Sequence, residues 1–447
     1  MPDITLINVV SSSSKPQTPL GILYLAGTLE KYNFDVDVID YQYIFYKHKW
    51  GYKHLGETIA NIDSKIVGIG CMTDSLPWVM LATKYAKSIT PEKIIILGGP
   101  GPSEVCYNLL STYDSVDIVC IGEGEYTLLE LMRTIGNGIS YTPRDLLNIK
   151  GIAFKHGDRV IVTPKRERIQ DLDALPFPAY HLINLKKYYQ VTVDTSRGCP
   201  FRCTFCDVAP LWGRKVIYKG VSRVIEELKL LNENYGVKNI HFTDDTFTLN
   251  KQRVLSITEQ IQKSDLDIQY ACFGRVNLVD NNVLTSLMDS GCKGIFYGIE
   301  SGSNRILRLI NKGFTIGKAI EVVINSLDYI KNVTASFIWG YPFEDFEDFL
   351  KTFYAITYLD YFGVQTRFSR LAPLPMSELR KKYENDIIKP LYFNIYSHTI
   401  LSTQDLPQEI VEEILKHPPI YVSFYWFNTP NLQEKLNFID NYYKLMG

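Results

Sequence analysis

Several features that would place this chain at once are missing from it. No apolar run approaches the roughly 18 residues of a membrane-spanning helix. There is no surplus of one charge. The 47 basic and 49 acidic residues leave a formal net charge of −2, whereas proteins held to nucleic acid by bulk electrostatics carry a basic excess. The opening residues, MPDITLINVVSSSSKPQTPLG, lack a basic stretch followed by an apolar one, so no secretory leader is expected and the expected location is the cytoplasm. In that reducing compartment the eight cysteines do not read as a disulfide framework. Apart from the serines at 11–14, there is no low-complexity tract and no internal repeat. What is present is 447 residues, 46% hydrophobic and 21% charged, enough for several packed domains.

The first part alternates short β-rich runs with helical patterns, the mark of a parallel α/β layer. Strands are expected at ITLINVV (4–10), DVDVID (35–40), KIVGIGCM (65–72), KIIILGG (93–99) and VDIVCIG (116–122), with helices at 20–34, 76–89 and 125–136 between them. Residues 1–149 thus read as a doubly wound domain. Residues 150–188, with a hairpin at His156-Gly157-Asp158 and the proline-rich LDALPFPAYHL, read as a connecting strap. From 189 the alternation resumes, with strands at 189–196, 238–245, 268–276, 294–300, 333–341 and 364–372. Six β/α units across 189–375 make a partial barrel, shorter than the ~250 residues of a closed eightfold one. Residues 376–447 are aromatic-rich with weak periodicity and read as a small C-terminal cap.

The sharpest local signal is Cys199-Pro-Phe-Arg-Cys203-Thr-Phe-Cys206, directly after the first barrel strand. Loops at the carboxyl ends of such strands build active sites, and a loop this short aims three sulfurs at one region. A closed zinc site wants four protein ligands, as does an electron-transfer [4Fe–4S] cluster. The other cysteines (71, 106, 120, 272 and 292) are scattered. Three sulfurs on a [4Fe–4S] cube leave one iron open for a substrate, which points to catalysis. A zinc knuckle completed by His181 or His241 is the alternative.

The triplet resembles the signature of the radical S-adenosylmethionine (SAM) superfamily, and FTDDTFT (242–248), CFGRVNL (272–278), YGIESGS (297–303) and SFIWGYPFE (336–344) resemble successive strand-end motifs of one of its subgroups. In that subgroup a cobalamin-binding-type domain precedes the barrel. The resemblance implies an α/β fold: an N-terminal doubly wound, Rossmann-like domain of B12-binding type, a partial (β/α)6 radical SAM barrel, and the cap. It implies that Cys199, Cys203 and Cys206 hold a [4Fe–4S] cluster whose open iron chelates SAM, split by one electron into methionine and a 5′-deoxyadenosyl radical. It places Phe205 against the adenine, Asp244 and Asp245 along the SAM pocket, Arg275 at the methionine carboxylate, and Glu300 at the ribose or ammonium. Gly340 and Pro342 let the backbone approach the adenine. The plainer readings are helix-capping aspartates and an Arg275–Glu300 ion pair.

Cobalamin is a further cofactor that the resemblance allows. PLGILYLAGTLEKYNFDVDVID (19–40), ILGGPGPS (96–103) and IGEGEYT (121–127) resemble cobalamin-binding segments, with Gly98, Gly99, Gly122 and Glu123 at strand ends where backbone N–H groups would meet a ligand. The Asp-x-His-x-x-Gly motif of mutase-type domains is absent; the only histidines before residue 150 are His48 and His54. The reactions in view are cobalamin-dependent C-methylation in peptide or natural-product maturation, and peptide epimerisation, in which a thiol such as Cys272 returns a hydrogen. Cys272 is otherwise a small buried hydrophobe. A non-catalytic Fe–S or cobalamin sensor is the reading from another class. Expected partners are a reductant such as flavodoxin or ferredoxin and a peptide or small-molecule substrate, with no nucleic acid.

Overall fold

The computed structural model describes residues 1–9, 16–42, 51–136, 141–391 and 406–446. Val10, His48 and residues 392–405 of the expected cap lie outside them. The chain forms two compact units, Met1–Thr192 with Leu406–Val422, and Val193–Asp405 with Ser423–Gly447.

The first unit is built on a seven-stranded sheet in the order β2-β1-β3-β4-β5-β6-β7. The parallel strands are β1 (Ile4–Val9), β2 (Val36–Asp40), β3 (Ile66–Cys71), β4 (Ile94–Gly98) and β5 (Ile118–Cys120). They fall where the β-branched runs predict them. Helices Leu20–Lys31 and Glu125–Ile135 bury Leu29, Ile22, Leu128 and Met132 against Ile4, Leu6, Ile66 and Ile96, and helix Leu76–Ile89 buries Leu76, Val79 and Met80. The order 2-1-3-4-5 puts a topological switch point between β1 and β3, where the crevice outside the strand ends takes ligands in doubly wound sheets.

Residues 150–188 are not a free strap. β6 (Ile152–His156) and β7 (Arg159–Val162) form the expected hairpin, but β6 pairs antiparallel with β5 and so extends the sheet. The following segment is pinned to the first helix, Ala179 N–H donating to the Leu23 carbonyl at 3.0 Å. A Cβ on Gly27 would lie 2.6 Å from the Phe177 carbonyl oxygen, so this close approach requires glycine. The cap is likewise divided. Helix Gln408–Lys416 belongs to the first unit, where Glu413 pairs with Lys84 at 3.2 Å and accepts from Tyr113.

The second unit holds six parallel strands in the order β15-β14-β13-β12-β11-β8, with no pairing between edge strands β8 and β15: a partial barrel. They are β8 (Val191–Val193), β11 (Asn239–Phe242), β12 (Gln269–Gly274), β13 (Cys292–Glu300), β14 (Asn332–Trp339) and β15 (Gln365–Arg370); β9 (Ser196–Arg197) and β10 (Ile217–Tyr218) form a small separate ribbon. Side-chain caps start the crossover helices: Asn250 accepts from Arg253 N–H, Asp280 from Val283 and Asp345 from Asp348. Strand alternation sorts the side chains. Ile240, Phe242, Tyr270, Cys272, Ile295, Tyr297, Ala335 and Phe337 are buried, and Tyr270 and Tyr297 reach Ser290 and Ser326 in the helical layer. The opposite, inner face is only partly covered.

The last helix, Leu432–Met446, closes this unit with a buried ion pair. Lys435 Nζ lies 3.2 Å from Glu344 Oε2 and also donates to the Glu344 carbonyl at 2.6 Å and Thr429 Oγ1 at 2.7 Å. Burial pushes the Glu344 carboxyl up to about 7 despite the ammonium beside it, and pushes the Lys435 ammonium down. Desolvation therefore outweighs attraction, and the pair is tolerated rather than strongly stabilising. Removing one partner is costly. Lys435→Met should lower stability by about 3–5 kcal/mol, measured by chemical denaturation. A carboxyl whose folded pKa lies above its unfolded one contributes stability below the unfolded value and loses it as pH rises through the folded value. Without Lys435 that folded value moves higher still, so the deficit should be smaller at about pH 5.5 than at about pH 8.

Candidate active site

The cysteine loop leaves β8 and is fixed at its root before it carries any chemistry. Asp244, fully buried at the end of β11, accepts from Thr195 N–H at 3.0 Å, Thr195 Oγ1 at 2.7 Å and Ser196 Oγ. Asp194 pairs with Arg197 at 3.1 Å and Lys219 at 2.8 Å, and Lys219 reaches Glu227 at 2.8 Å. Gly198 takes φ +103°, a left-handed turn that favours glycine, and donates to Asp245 Oδ2 at 3.2 Å. Downstream, Thr204 N–H donates to the Ile310 carbonyl at 3.3 Å and Leu379 N–H to the Thr204 carbonyl at 2.8 Å. The two aspartates thus brace the loop. Asp244, expected along the SAM pocket, is buried in the core, and its three hydrogen bonds go to the root of the loop.

All three cysteines are free thiols and half-buried, and they are electrostatic neighbours: Cys199 and Cys203 both act on Cys206. Burial pushes the Cys206 thiol up to about 12 and raises that of Cys199. Without metal both stay protonated at neutral pH, and metal binding must displace the protons. Among the described residues no three His, Cys, Asp or Glu side chains converge as ligands of one ion. A zinc site needs four ligands about 2.0–2.3 Å from a single centre. The histidines offered for zinc are elsewhere: His181 bonds Glu30 at 2.9 Å, and the His241 ring lies against Phe273 at 5.1 Å.

Around the thiols stands a cationic, aromatic wall. Arg275 is locked over Phe201, 3.8 Å from the ring centre, with Nε donating to Asn277 Oδ1 at 2.9 Å and Nη2 to the Lys312 carbonyl. Its Nη1 points at Cys203 Sγ, 3.9 Å away. All three nitrogens are engaged in this neighbourhood, so Arg275 contacts a thiol rather than waiting for a carboxylate. Nor does it pair with Glu300. That carboxylate bonds Lys312 Nζ at 3.2 Å, where a bulge in β13 and φ +76° at Glu300 re-aim the side chain. Lys312 also lies 5.9 Å from the Phe205 ring centre, and Tyr341 meets Phe205 edge-on at 6.3 Å.

The structure thus gathers Cys203, Phe205, Arg275 and Glu300, and adds Phe201, Lys312 and Tyr341, which motif reading missed. Only the strand-end position of Tyr341, inside SFIWGYPFE, could have flagged it. Its hydroxyl is buried with no partner among the described residues, an arrangement costing about 1–3 kcal/mol unless a ligand or water meets it. That orphaned group beside Phe205 suits a polar ligand such as SAM. Gly340 has φ +90° and donates to Glu344 Oε2 at 2.7 Å; Pro342, two residues on, is half-buried.

Cys272 faces the wrong way for a hydrogen donor. It is buried on the helix side of β12 with Tyr270, beside Cys292, and burial and that neighbour raise its pKa. In the first unit, Gly99 (φ +96°) is required for close packing, since a Cβ would lie 2.6 Å from the Cys71 carbonyl oxygen. A Cβ on Gly98 would meet only Cys120 Cβ, at 3.9 Å. Gly122 (φ +83°) opens onto free space and leaves room for a ligand. Glu123 is turned inward, accepting from Ile169 N–H at 2.8 Å.

Comparison with known proteins agrees with this geometry. Residues 193–354 match the radical SAM superfamily and residues 8–132 the B12 binding domain. An uncharacterized methyltransferase of Pyrococcus horikoshii is 32% identical over 415 residues, 91% of this chain and 87% of that protein. The chain belongs to the radical SAM superfamily, in its B12-binding subgroup. The cofactors of this enzyme are accordingly a [4Fe–4S] cluster, SAM and cobalamin. The cytidylyl-2-hydroxyethylphosphonate methyltransferase of Streptomyces wedmorensis is 26% identical over 376 residues, covering 72% of this chain and 69% of that one. Among solved structures, the radical SAM methyltransferase TsrM from Kitasatospora setae, with cobalamin and a [4Fe–4S] cluster bound, superposes with a TM-score of 0.72 at 17% identity, over 96% of this chain and 88% of that one. The cobalamin-dependent radical SAM enzyme OxsB gives 0.66 at 19% identity, over 96% and 57%. The two structures share the fold. Among the described residues no helix is long and apolar enough to cross a membrane.

Two substitutions probe the wall around the thiols. Cys203→Ala should reduce reconstituted iron from about four per chain to below about one, read by iron assay and the cluster's visible absorption. Arg275→Gln should keep the iron but shift the cluster's reduction potential to more negative values, because a cation and N–H donor beside the sulfur favour the reduced form.

Proposed function

We propose that this enzyme transfers a methyl group to a carbon of a small natural-product precursor or peptide, using SAM and cobalamin. One observation carries the reading: a loop of three neighbouring thiols in a radical SAM domain lies in the same chain as a switch-point domain of B12-binding type. The 32% identity to a methyltransferase over nearly the full chain supports methylation. Cys199, Cys203 and Cys206 would hold the cluster; Phe205, Glu300, Lys312 and Tyr341 would position SAM; Gly122 and the ends of β1, β3 and β4 would seat the corrinoid. When bound, the cluster would relay the electron that splits one SAM, and the corrinoid would carry the methyl group given by a second SAM. The chain's own share is to place them, exclude water and direct the substrate. The epimerase reading loses its donor, because Cys272 faces the helical layer. The reductant would be a small electron carrier such as flavodoxin or ferredoxin.

Anaerobic reconstitution with iron, sulfide and cobalamin tests this. Corrinoid should remain bound after desalting, and reduced protein with SAM should release 5′-deoxyadenosine together with S-adenosylhomocysteine, the residue of SAM after methyl donation. SAM cleavage without retained corrinoid or S-adenosylhomocysteine would contradict the methyltransferase reading.

A further inference from the structure

The inner face of the partial barrel carries a pattern that cofactor binding does not use. Phe273 on β12 and Phe296 on β13 are partners in register and meet edge-to-face at 5.4 Å. The His241 ring on β11 lies 5.1 Å from Phe273, and on β15 the Arg367 guanidinium carbon lies 5.6 Å from the centre of Phe296. The hydroxyls of Thr334 and Ser336 fall between them, since Phe296 is in register with Thr334 and Ser336 with Arg367. These side chains are half-buried or, for Arg367, exposed, while their strand neighbours Ile240, Phe242, Ile295 and Phe368 are buried on the opposite face.

Two features make this a site rather than uncovered core. Among the described residues no carboxylate pairs with Arg367, although its guanidinium stands over an aromatic ring, where its fork of donors is held ready for an anion. His241 Nδ1 is buried with no hydrogen-bond partner. Burial lowers the His241 pKa, so the ring is neutral near pH 7 and offers a hydrogen bond rather than a second positive charge. Arg367 on β15 and Phe296 on β13 are two strands apart, and the guanidinium carbon comes within 5.6 Å of the ring centre, so an anion held by Arg367 lies beside a flat body received by the aromatic pair.

We propose that this face is the substrate platform and that it takes a small molecule with a flat, unsaturated body and an anionic group, a carboxylate or a phosphate or phosphonate. The aromatic pair receives the body, His241 a polar edge, and Arg367 the anion. The proposal rests on the methyltransferase reading for what happens to that molecule, but not for its binding.

The test uses the full-length, anaerobically reconstituted protein without SAM or reductant, so its outcome is independent of whether methyl transfer occurs. Binding of 2-naphthoate, 2-naphthyl phosphate and neutral 2-naphthamide is measured by ligand-observed NMR. At least one anion should bind about tenfold more tightly than the amide, about 1.4 kcal/mol. Arg367→Gln should abolish that preference, Arg367→Lys should restore part of it, and Phe296→Ala should weaken all three probes. The preferred anion separates carboxylate from phosphate. Iron content and melting temperature matching the wild type show that the variants fold. Equal binding of anions and amide, no binding of any probe, or a preference that survives Arg367→Gln would overturn the proposal.

Discussion

The chemistry assigned to this protein depends on how a short loop is held at its root. Cys199, Cys203 and Cys206 occupy a stretch with almost no regular structure of its own, and such a stretch wanders unless its backbone groups are tied down. Here the tie is the carboxylate of Asp244, which accepts three hydrogen bonds from Thr195 and Ser196 inside the core. The Asp194–Lys219–Glu227 network sits beside it. Burial raises the Asp244 pKa, and the bonds from the loop oppose that shift. The loop's order and the carboxylate's ionisation are thus one problem, solved together.

Downstream of that anchor, charge is distributed with a consistent logic. Three thiols that lose protons on metal binding, and a cluster that accumulates electrons, need cations close by. Arg275 and Lys312 supply them, one over Phe201 and the other between Phe205 and Glu300. The Arg275 guanidinium reaches the Lys312 backbone carbonyl, so displacing either segment moves both. The bulge at Glu300 is what allows a strand residue to turn toward this pair.

Much of the architecture was legible because it rests on local pattern. Period-two burial marks β11 to β14 of the barrel, and the spacing of the three cysteines carries its meaning without any tertiary context. Other things were hidden for physical reasons. Which face Cys272 takes depends on the phase of β12 against its neighbours, a one-residue matter that sequence alternation does not settle alone. Lys312, which Glu300 bonds and whose carbonyl Arg275 reaches, lies in a loop 12 residues beyond Glu300, and no motif announced it. Residues 150–188 look like a connector because the pairing that makes β6 a sheet strand is with β5, through backbone atoms. The C-terminal segment hides its division because Glu413 and Lys435 find their partners at separations of 329 and 91 residues.

The central claim is that three sulfurs hold a four-iron cube and leave one iron for SAM. Mössbauer spectroscopy of protein reconstituted with 57Fe, with and without SAM, addresses it most directly. The account predicts that one iron of four changes its isomer shift and quadrupole splitting when SAM is added, while the other three keep theirs. Four irons that all ignore SAM, or a protein that takes up a single zinc in place of the cluster, would contradict it.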